Sequence, residues 1–407
     1  MERVDFSSKG TAVAMRRMKG SSIVLTARDV GAAGHIVCLA DGLRAAGAAV
    51  ELVGQGAAAQ YFARRQTHFT DGSTWLGQPF AEVSAGALEP HLISKARANL
   101  REKRVEAVIC GVSAFHSDGI DELTMLAARQ EGIPTFAMQD FWGDVKQVGG
   151  ISCDHYLVID DAAARLTRQR STSHVKVIGS PKHGGFSELN ARELRVRLRR
   201  RLGLSAEGLV VGYFGQNLIG MAGYSQVIMD VAASVRATGA TLLFRPHPRE
   251  DGAAVSATLS MFRTAGVQPV LTEVGPIEEP LVMIDAAISC FSTVGLDAIH
   301  LTRSAPCLGP MVIYADYPSD IAKYWRHHGR IDSLPLVETG VALEAKNGIE
   351  LALAVKRATC ASERAVFAAR IKRQLSDPTM AVMAAVQYVA DVLALRVAPE
   401  APLEQCT

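Results

Sequence analysis

Two short segments in the second half of the chain carry the residue types best suited to chemistry. Arg245-Pro246-His247-Pro248-Arg249-Glu250 follows the apolar run Thr241-Leu242-Leu243-Phe244. Ser289-Cys290-Phe291-Ser292-Thr293 sits between the apolar run Ala286-Ala287-Ile288 and a helical pattern over 295–301. Each reads as a loop at the carboxyl end of a parallel strand, where open α/β sheets bind ligands. An imidazole, guanidinium groups, hydroxyls and the free N–H groups of a helix N-terminus together suit a phosphate. The candidate anion-binding residues are Arg245, His247, Arg249, Ser289, Ser292 and Thr293. Asp297 lies one turn into the helix. It is placed for a ribose or sugar hydroxyl, or equally as an ordinary acid near a helix N-terminus. The bland reading of the rest is a Pro-His-Pro turn with solvated arginines and a capped helix.

Other strand ends carry weaker signals. Gly215-Gln216-Asn217 follows the run Leu209-Val210-Val211-Gly212-Tyr213-Phe214. Gly215 would let backbone approach a ligand, and Gln216 could read hydroxyls or a base edge. In the first half, Arg28-Asp29-Val30-Gly31-Ala32-Ala33-Gly34-His35 links a strand to a helix. It is not GxGxxG, and no acidic residue ends the next strand, so dinucleotide binding is not expected. His35 is a candidate general base, or else an exposed first-turn histidine. His116 and Asp118 lie in another strand-end loop with Glu122 one turn on, and they too are candidate catalytic acids or bases. Gln139-Asp140-Phe141-Trp142-Gly143-Asp144 ends a further strand; its aromatic pair and carboxylates suit a sugar, or plain packing.

Short β-branched runs alternate with helical patterns throughout, which predicts βαβ units and mostly parallel sheets. Strands are expected at 22–26, 48–53, 107–112, 134–138, 156–159, 175–179, 209–214, 241–244, 269–271, 286–289 and 305–308. The predicted fold is α/β, two Rossmann-like doubly wound parallel-sheet domains facing a cleft, with a helical C-terminus over 348–395. The expected division is an N-terminal extension at 1–20, a first domain at 21–183, an arginine-dense exposed linker helix at 184–205, a second domain at 206–375, a C-terminal helix at 376–396 and a flexible tail at 397–407.

The chain has 407 residues, enough for about two or three domains. Its 48% hydrophobic and 21% charged content fits a globular protein. A net charge of +2 provides no field that would gather nucleic acid. Seven scattered cysteines without CxxC spacing argue for reduced thiols and a cytoplasmic setting. The basic, polar N-terminus does not read as a secretory signal, and no run of 18 uninterrupted apolar residues predicts a membrane span. Peripheral membrane contact through Arg/Lys patches and homo-oligomerisation stay open.

These motifs bring a resemblance. The run from Leu198-Arg199-Arg200-Arg201-Leu202-Gly203-Leu204 to Phe214-Gly215-Gln216, with Arg245-Pro246-His247-Pro248 and Ser292-Thr293-Val294-Gly295-Leu296-Asp297-Ala298, resembles the donor domain of GT-B glycosyltransferases. The last two motifs are similar to the His-Pro and Ser/Thr motifs of bacterial capsule and teichoic-acid transferases. The resemblance covers about 195–310 and implies a nucleotide-activated sugar or polyol phosphate donor, an unknown acceptor, and neither metal nor other cofactor. His247-Pro248-Arg249-Glu250-Asp251 also resembles the His-Arg-Arg-Glu-Asn of UDP-N-acetylglucosamine 2-epimerases. That family has Gly-Gly followed by paired glutamates where this chain has Ser292-Thr293-Val294-Gly295-Leu296-Asp297, and Arg-Pro-Glu where it has Arg28-Asp29-Val30-Gly31. A transferase, an epimerase or hydrolase, and a non-catalytic nucleotide-sugar binder all remain open.

Overall fold

The computed structural model describes residues 17–113, 116–272 and 275–397. The extension up to residue 16, Ala114 and Phe115 of the candidate loop, and the tail from residue 398 lie outside the described residues. The chain divides into two units, 1–184 with 377–407, and 185–376.

The first unit holds seven parallel strands: β1 (Ser22–Ala27), β2 (Ala49–Gly54), β3 (Thr70–Asp71), β5 (Ala107–Gly111), β7 (Thr135–Met138), β8 (His155–Val158) and β9 (His174–Val177). Their order is β3-β2-β1-β5-β7-β8-β9. A short antiparallel pair, β4 (Val83–Ser84) with β6 (Ser117–Asp118), lies outside that sheet. Strand β5 is buried at every position, as a strand covered by helices on both faces must be. The order reverses between β1 and β5, so the loops after these two strands flank the crevice where such sheets hold ligands.

The second unit holds β10 (Val210–Phe214), β11 (Thr241–Arg245), β12 (Val270–Leu271), β13 (Ala286–Ser289), β14 (Met311–Tyr314) and β15 (Leu343–Glu344), ordered β12-β11-β10-β13-β14-β15 and parallel throughout. Its order reverses between β10 and β13. Tyr213, Phe244 and Phe262 form an aromatic core beneath this sheet, with centroids 5.7–6.1 Å apart.

Three local expectations change. The run 305–308 is a turn, and the strand begins at Met311. Leu308 and Gly309 donate N–H to the Ala305 carbonyl at 3.0 and 2.9 Å, and Pro306 has no N–H for a ladder. The arginine-dense helix, Ala191–Arg201, expected as an exposed linker with a buried edge, has an exposed face and a buried edge and lies within the second unit. Its Arg199 is 1% exposed and belongs to the second unit. The C-terminal helix Ala381–Val397 returns to the first unit and packs on the helix Val30–Ala45. There, any side chain at Gly42 would run into Val382. Among the described residues, one helical stretch, Ala361–Arg396, is long and apolar enough by composition to cross a membrane; it contains this packed helix. The six described cysteines are unpaired thiols.

Candidate functional site

In the second unit, the loops after β10, β11 and β13 are tied to one another. Gln216 Oε1 accepts the Phe291 N–H at 2.9 Å, which joins the two loops that flank the reversal of strand order. Gly215 donates N–H to the Arg245 carbonyl at 2.8 Å. A Cβ at Gly215 would stand 2.7 Å from Glu250 Oε2 and 3.3 Å from the His247 nitrogen. The glycine thus admits the neighbouring loop. Glu250, which the motif alone left without a role, accepts the His247 N–H at 2.6 Å and fixes the Pro-His-Pro turn.

This turn decides which face of His247 is useful. Its Nδ1 accepts the Arg249 N–H at 3.1 Å, so the neutral ring carries its proton on Nε2 and presents a donor there. Burial, with Arg249 beside it, lowers the pKa of the imidazole below its usual value. Arg249 is exposed and lines a hollow of about 420 Å³ with Asn217, Ile219, Asp251 and Ala257. Arg245 has a different task. It is buried and donates to the carbonyls of Gly275 at 2.7 Å and Pro276 at 3.4 Å, bracing the loop after β12.

The turn after β13 keeps its donors open. Neither the Ser292 nor the Thr293 backbone N–H donates to another group among the described residues. Ser292 Oγ accepts the Val294 N–H at 3.2 Å, which leaves its own hydroxyl proton available; Thr293 makes no side-chain cap bond. The helix Val294–Ser304 starts here, so its dipole points into the turn. Tyr314 of β14 donates to the Ser292 carbonyl at 3.3 Å, and a side chain at Gly295 would strike its hydroxyl. Ser289 is buried inside β13 beside Tyr314 rather than in the turn. Asp297 is buried, with Arg245 near enough to act on it electrostatically.

In the first unit, the loop carboxylates are mostly committed. Arg28, 1% exposed, donates to Glu82 Oε2 at 2.8 Å, Ser117 Oγ at 2.9 Å, the Ser117 carbonyl at 2.8 Å and Glu122 Oε1 at 3.2 Å. Lys146 stands 3.1 Å from Asp118 Oδ1, and Asp118 Oδ2 accepts the Gly86 N–H at 2.7 Å. Asp118, paired with Lys146 and accepting from Gly86, ties β6 to the turn after β4. His116 is exposed. His35 is not an exposed first-turn residue but is 0% exposed, edge-on to the buried His183 at 6.1 Å. That enclosure removes it from any acceptor. Trp142 is also buried, with Nε1 donating to Asp160 at 2.8 Å, so it packs rather than stacks on a sugar.

One carboxyl group is poised differently. Asp140, at the end of β7, lies over the first turn of the helix Val30–Ala45, where a side chain at Gly31 would run into its carboxylate. Burial raises its pKa to about 7; Lys182 opposes this, and Asp144 and Asp29 add to it. A second buried acid, Asp121, also reaches about 7, through burial and Glu122. It is enclosed beneath the hydroxyls of Thr26 at 2.5 Å and Ser113 at 3.0 Å. The motif reading overlooked Arg28, Lys146 and Asp121 because their partners come from strands distant in sequence; only the place of Arg28 at the end of β1 was legible.

No protein-family model and no curated protein sequence matches the chain. Solved structures do. The S. aureus MnaA–UDP complex superposes with a TM-score of 0.63 at 11% identity, over 94% of this chain and 99% of that one. The chain has the GT-B type of fold, with a parallel α/β sheet in each unit. The Neisseria meningitidis UDP-GlcNAc 2-epimerase bound to UDP-GlcNAc matches at 0.59, 9% identity, and 92% and 100% coverage. Acinetobacter baumannii MurG matches at 0.54, 12% identity, and 92% and 99% coverage.

Proposed function

We propose that this GT-B protein is an enzyme that uses a nucleotide-activated sugar or polyol phosphate as donor, and that it transfers the activated group to an acceptor hydroxyl. The observation that carries this reading is the turn after β13. It offers two open backbone N–H groups and two hydroxyls at a helix N-terminus, and Gln216 ties it to the loop after β10, whose Gly215 lies against the His247 backbone. Such donors suit the charge that grows on a leaving phosphate. In the step proposed for a sugar donor, the acceptor oxygen bonds to the sugar carbon while the carbon–oxygen bond to the phosphate breaks, its electron pair going to the phosphate; with a polyol phosphate donor the acceptor oxygen bonds to phosphorus and the phosphorus–oxygen bond to the nucleotide breaks, its electron pair leaving with the nucleotide. The acceptor's proton is lost to a base or to solvent; within the first unit, the acid whose raised pKa suits that task near neutral pH is Asp140. In this reading Asp140 takes the role expected of His35, His116 or Asp118. Scattered cysteines without CxxC spacing support a cytoplasmic setting for this reading.

The second reading is a nucleotide-sugar 2-epimerase or hydrolase, favoured by two of the similar structures being an epimerase with UDP-GlcNAc and a protein bound to UDP. Incubation with UDP-GlcNAc and no acceptor separates the two. Conversion of the sugar would replace the transferase reading; recovery of intact donor supports it. Calorimetry tests the site itself. His247→Ala should weaken UDP binding about 5- to 10-fold, the worth of one hydrogen bond. An unchanged affinity would remove His247 from the site. Where turnover is found, its rate in the wild type should rise with pH through about 7, and Asp140→Asn should abolish that rise.

A further inference from the structure

The helix Ala191–Arg201 divides its arginines between two jobs. Arg195 and Arg199 are spent on the fold, donating to Asp285 and to the carbonyls of Val282, Met283 and Ile284. Arg201 pairs with Glu279. Arg192, Arg197 and Arg200 do none of this. They are exposed, and none has a hydrogen-bond or ion-pair partner among the described residues. They border an open hollow of about 450 Å³ whose other walls are Asn190, Glu193 and Val196. The only acid there, Glu193, is occupied with the helix cap: its carboxylate accepts from Asn190 Nδ2 at 2.9 Å, and its N–H donates to Asn190 Oδ1. Val196, 50% exposed, lies amid the three guanidinium groups.

The spacing places these residues on one face. Positions 192, 196 and 200 repeat at i, i+4, i+8, and 193 and 197 lie one step round. Like charges three and four residues apart, such as Arg197 with Arg200 and Arg201, destabilise a helix. The helix dipole favours Arg200 in the last turn, but among the described residues no acid pairs with any of the three side chains. A ligand of opposite charge would offset their repulsion.

We propose that this face is a docking surface for an anionic lipid bilayer. The residues of this face come from a single helix and the residue that caps it, and Val196 offers an apolar contact between arginines whose aliphatic stems can lie along an interface. A single-stranded nucleic acid would want stacking rings, and the hollow is lined by no aromatic side chain. Three arginines near an anionic surface give a reversible attachment that added salt weakens. The proposal does not depend on the enzymatic reading.

The test is flotation of the full-length chain with vesicles of phosphatidylcholine alone or mixed with phosphatidylglycerol. The wild type should float with the mixed vesicles at low salt, and not with neutral ones. The triple variant Arg192→Gln/Arg197→Gln/Arg200→Gln should bind about 100-fold more weakly, about fivefold for each arginine. Its thermal midpoint should not fall below the wild type's, since the three side chains hold nothing together and their mutual repulsion is relieved. Absence of flotation, or equal flotation of the triple variant, would overturn the proposal. So would binding of inorganic polyphosphate or single-stranded DNA without binding of vesicles, which would make the face a site for soluble polyanions.

Discussion

Arg199→Ala is the sharpest test of how the second unit is held together. The buried guanidinium donates to the carbonyls of Met283 at 2.9 Å, Ser205 at 3.0 Å, Ala206 at 3.0 Å and Gly208 at 2.8 Å, and to Asp285 Oδ2 at 3.1 Å. Asp285 is itself a junction. It accepts from Arg195 at 2.6 Å and from the Val210 N–H at 2.9 Å, and its own N–H donates to the Val210 carbonyl at 2.7 Å, where β10 begins. Burial, with Arg195 adding and Asp285 opposing, lowers the pKa of the Arg199 guanidinium, so its charge is held at a cost. Truncation removes five hydrogen bonds. Each is worth about 1 kcal/mol net, and breaking one side of a buried pair typically costs about 3–5 kcal/mol. Asp285 keeps two donors, and water can reach some of the freed carbonyls, so a loss of about 3–5 kcal/mol is expected rather than the full sum. That is a large share of the stability of a domain. Urea unfolding followed by circular dichroism should show the second unit's midpoint falling with little change of slope. UDP affinity measured well below the transition should stay the same, because these contacts lie at the amino ends of the strands and the candidate site at their carboxyl ends. A loss under about 1 kcal/mol, or a lost affinity in a folded variant, would refute the reasoning.

Other expectations follow from the same geometry. Gly295→Ala should push Tyr314 from the Ser292 carbonyl, cost about 1–3 kcal/mol by overpacking and weaken UDP binding in the same variant; melting curves and calorimetry read both. His155 stacks on Phe136 at 4.8 Å and bonds Tyr388 of the C-terminal helix at 3.0 Å, and burial with His174 lowers its pKa from 6.5 to about 4. Its unfolded form therefore binds more protons between those values, so stability should fall as pH drops from about 6.5 to about 4, by at most about 3 kcal/mol. His155→Gln should flatten that part of a plot of melting temperature against pH; an unchanged slope would count against the assignment. Gly31→Ala should displace the Asp140 carboxylate, and a pKa for Asp140 by carbon-13 NMR that stays near 7 in this variant would show that the contact does not set it.

What the sequence determined by itself was the layered α/β architecture. Continuous apolar runs such as 107–111 and 210–214 have no exposed face to offer and so must be central parallel strands. It also located the Pro-His-Pro and Ser/Thr turns, because strand ends and hydroxyl-rich helix starts are local signals. The work of each side chain was decided by tertiary structure. Arg245 and Arg249 look alike in the motif, yet one braces a loop and the other lines a hollow, since only the packing of the residues around 275 against β11 consumes a guanidinium. Asp118 and Asp140 are both strand-end acids. A lysine 28 residues away pairs with Asp118, while burial lifts Asp140 into the neutral range. Charge state depends on distance and burial, and both are set by chain segments that meet only in the folded protein.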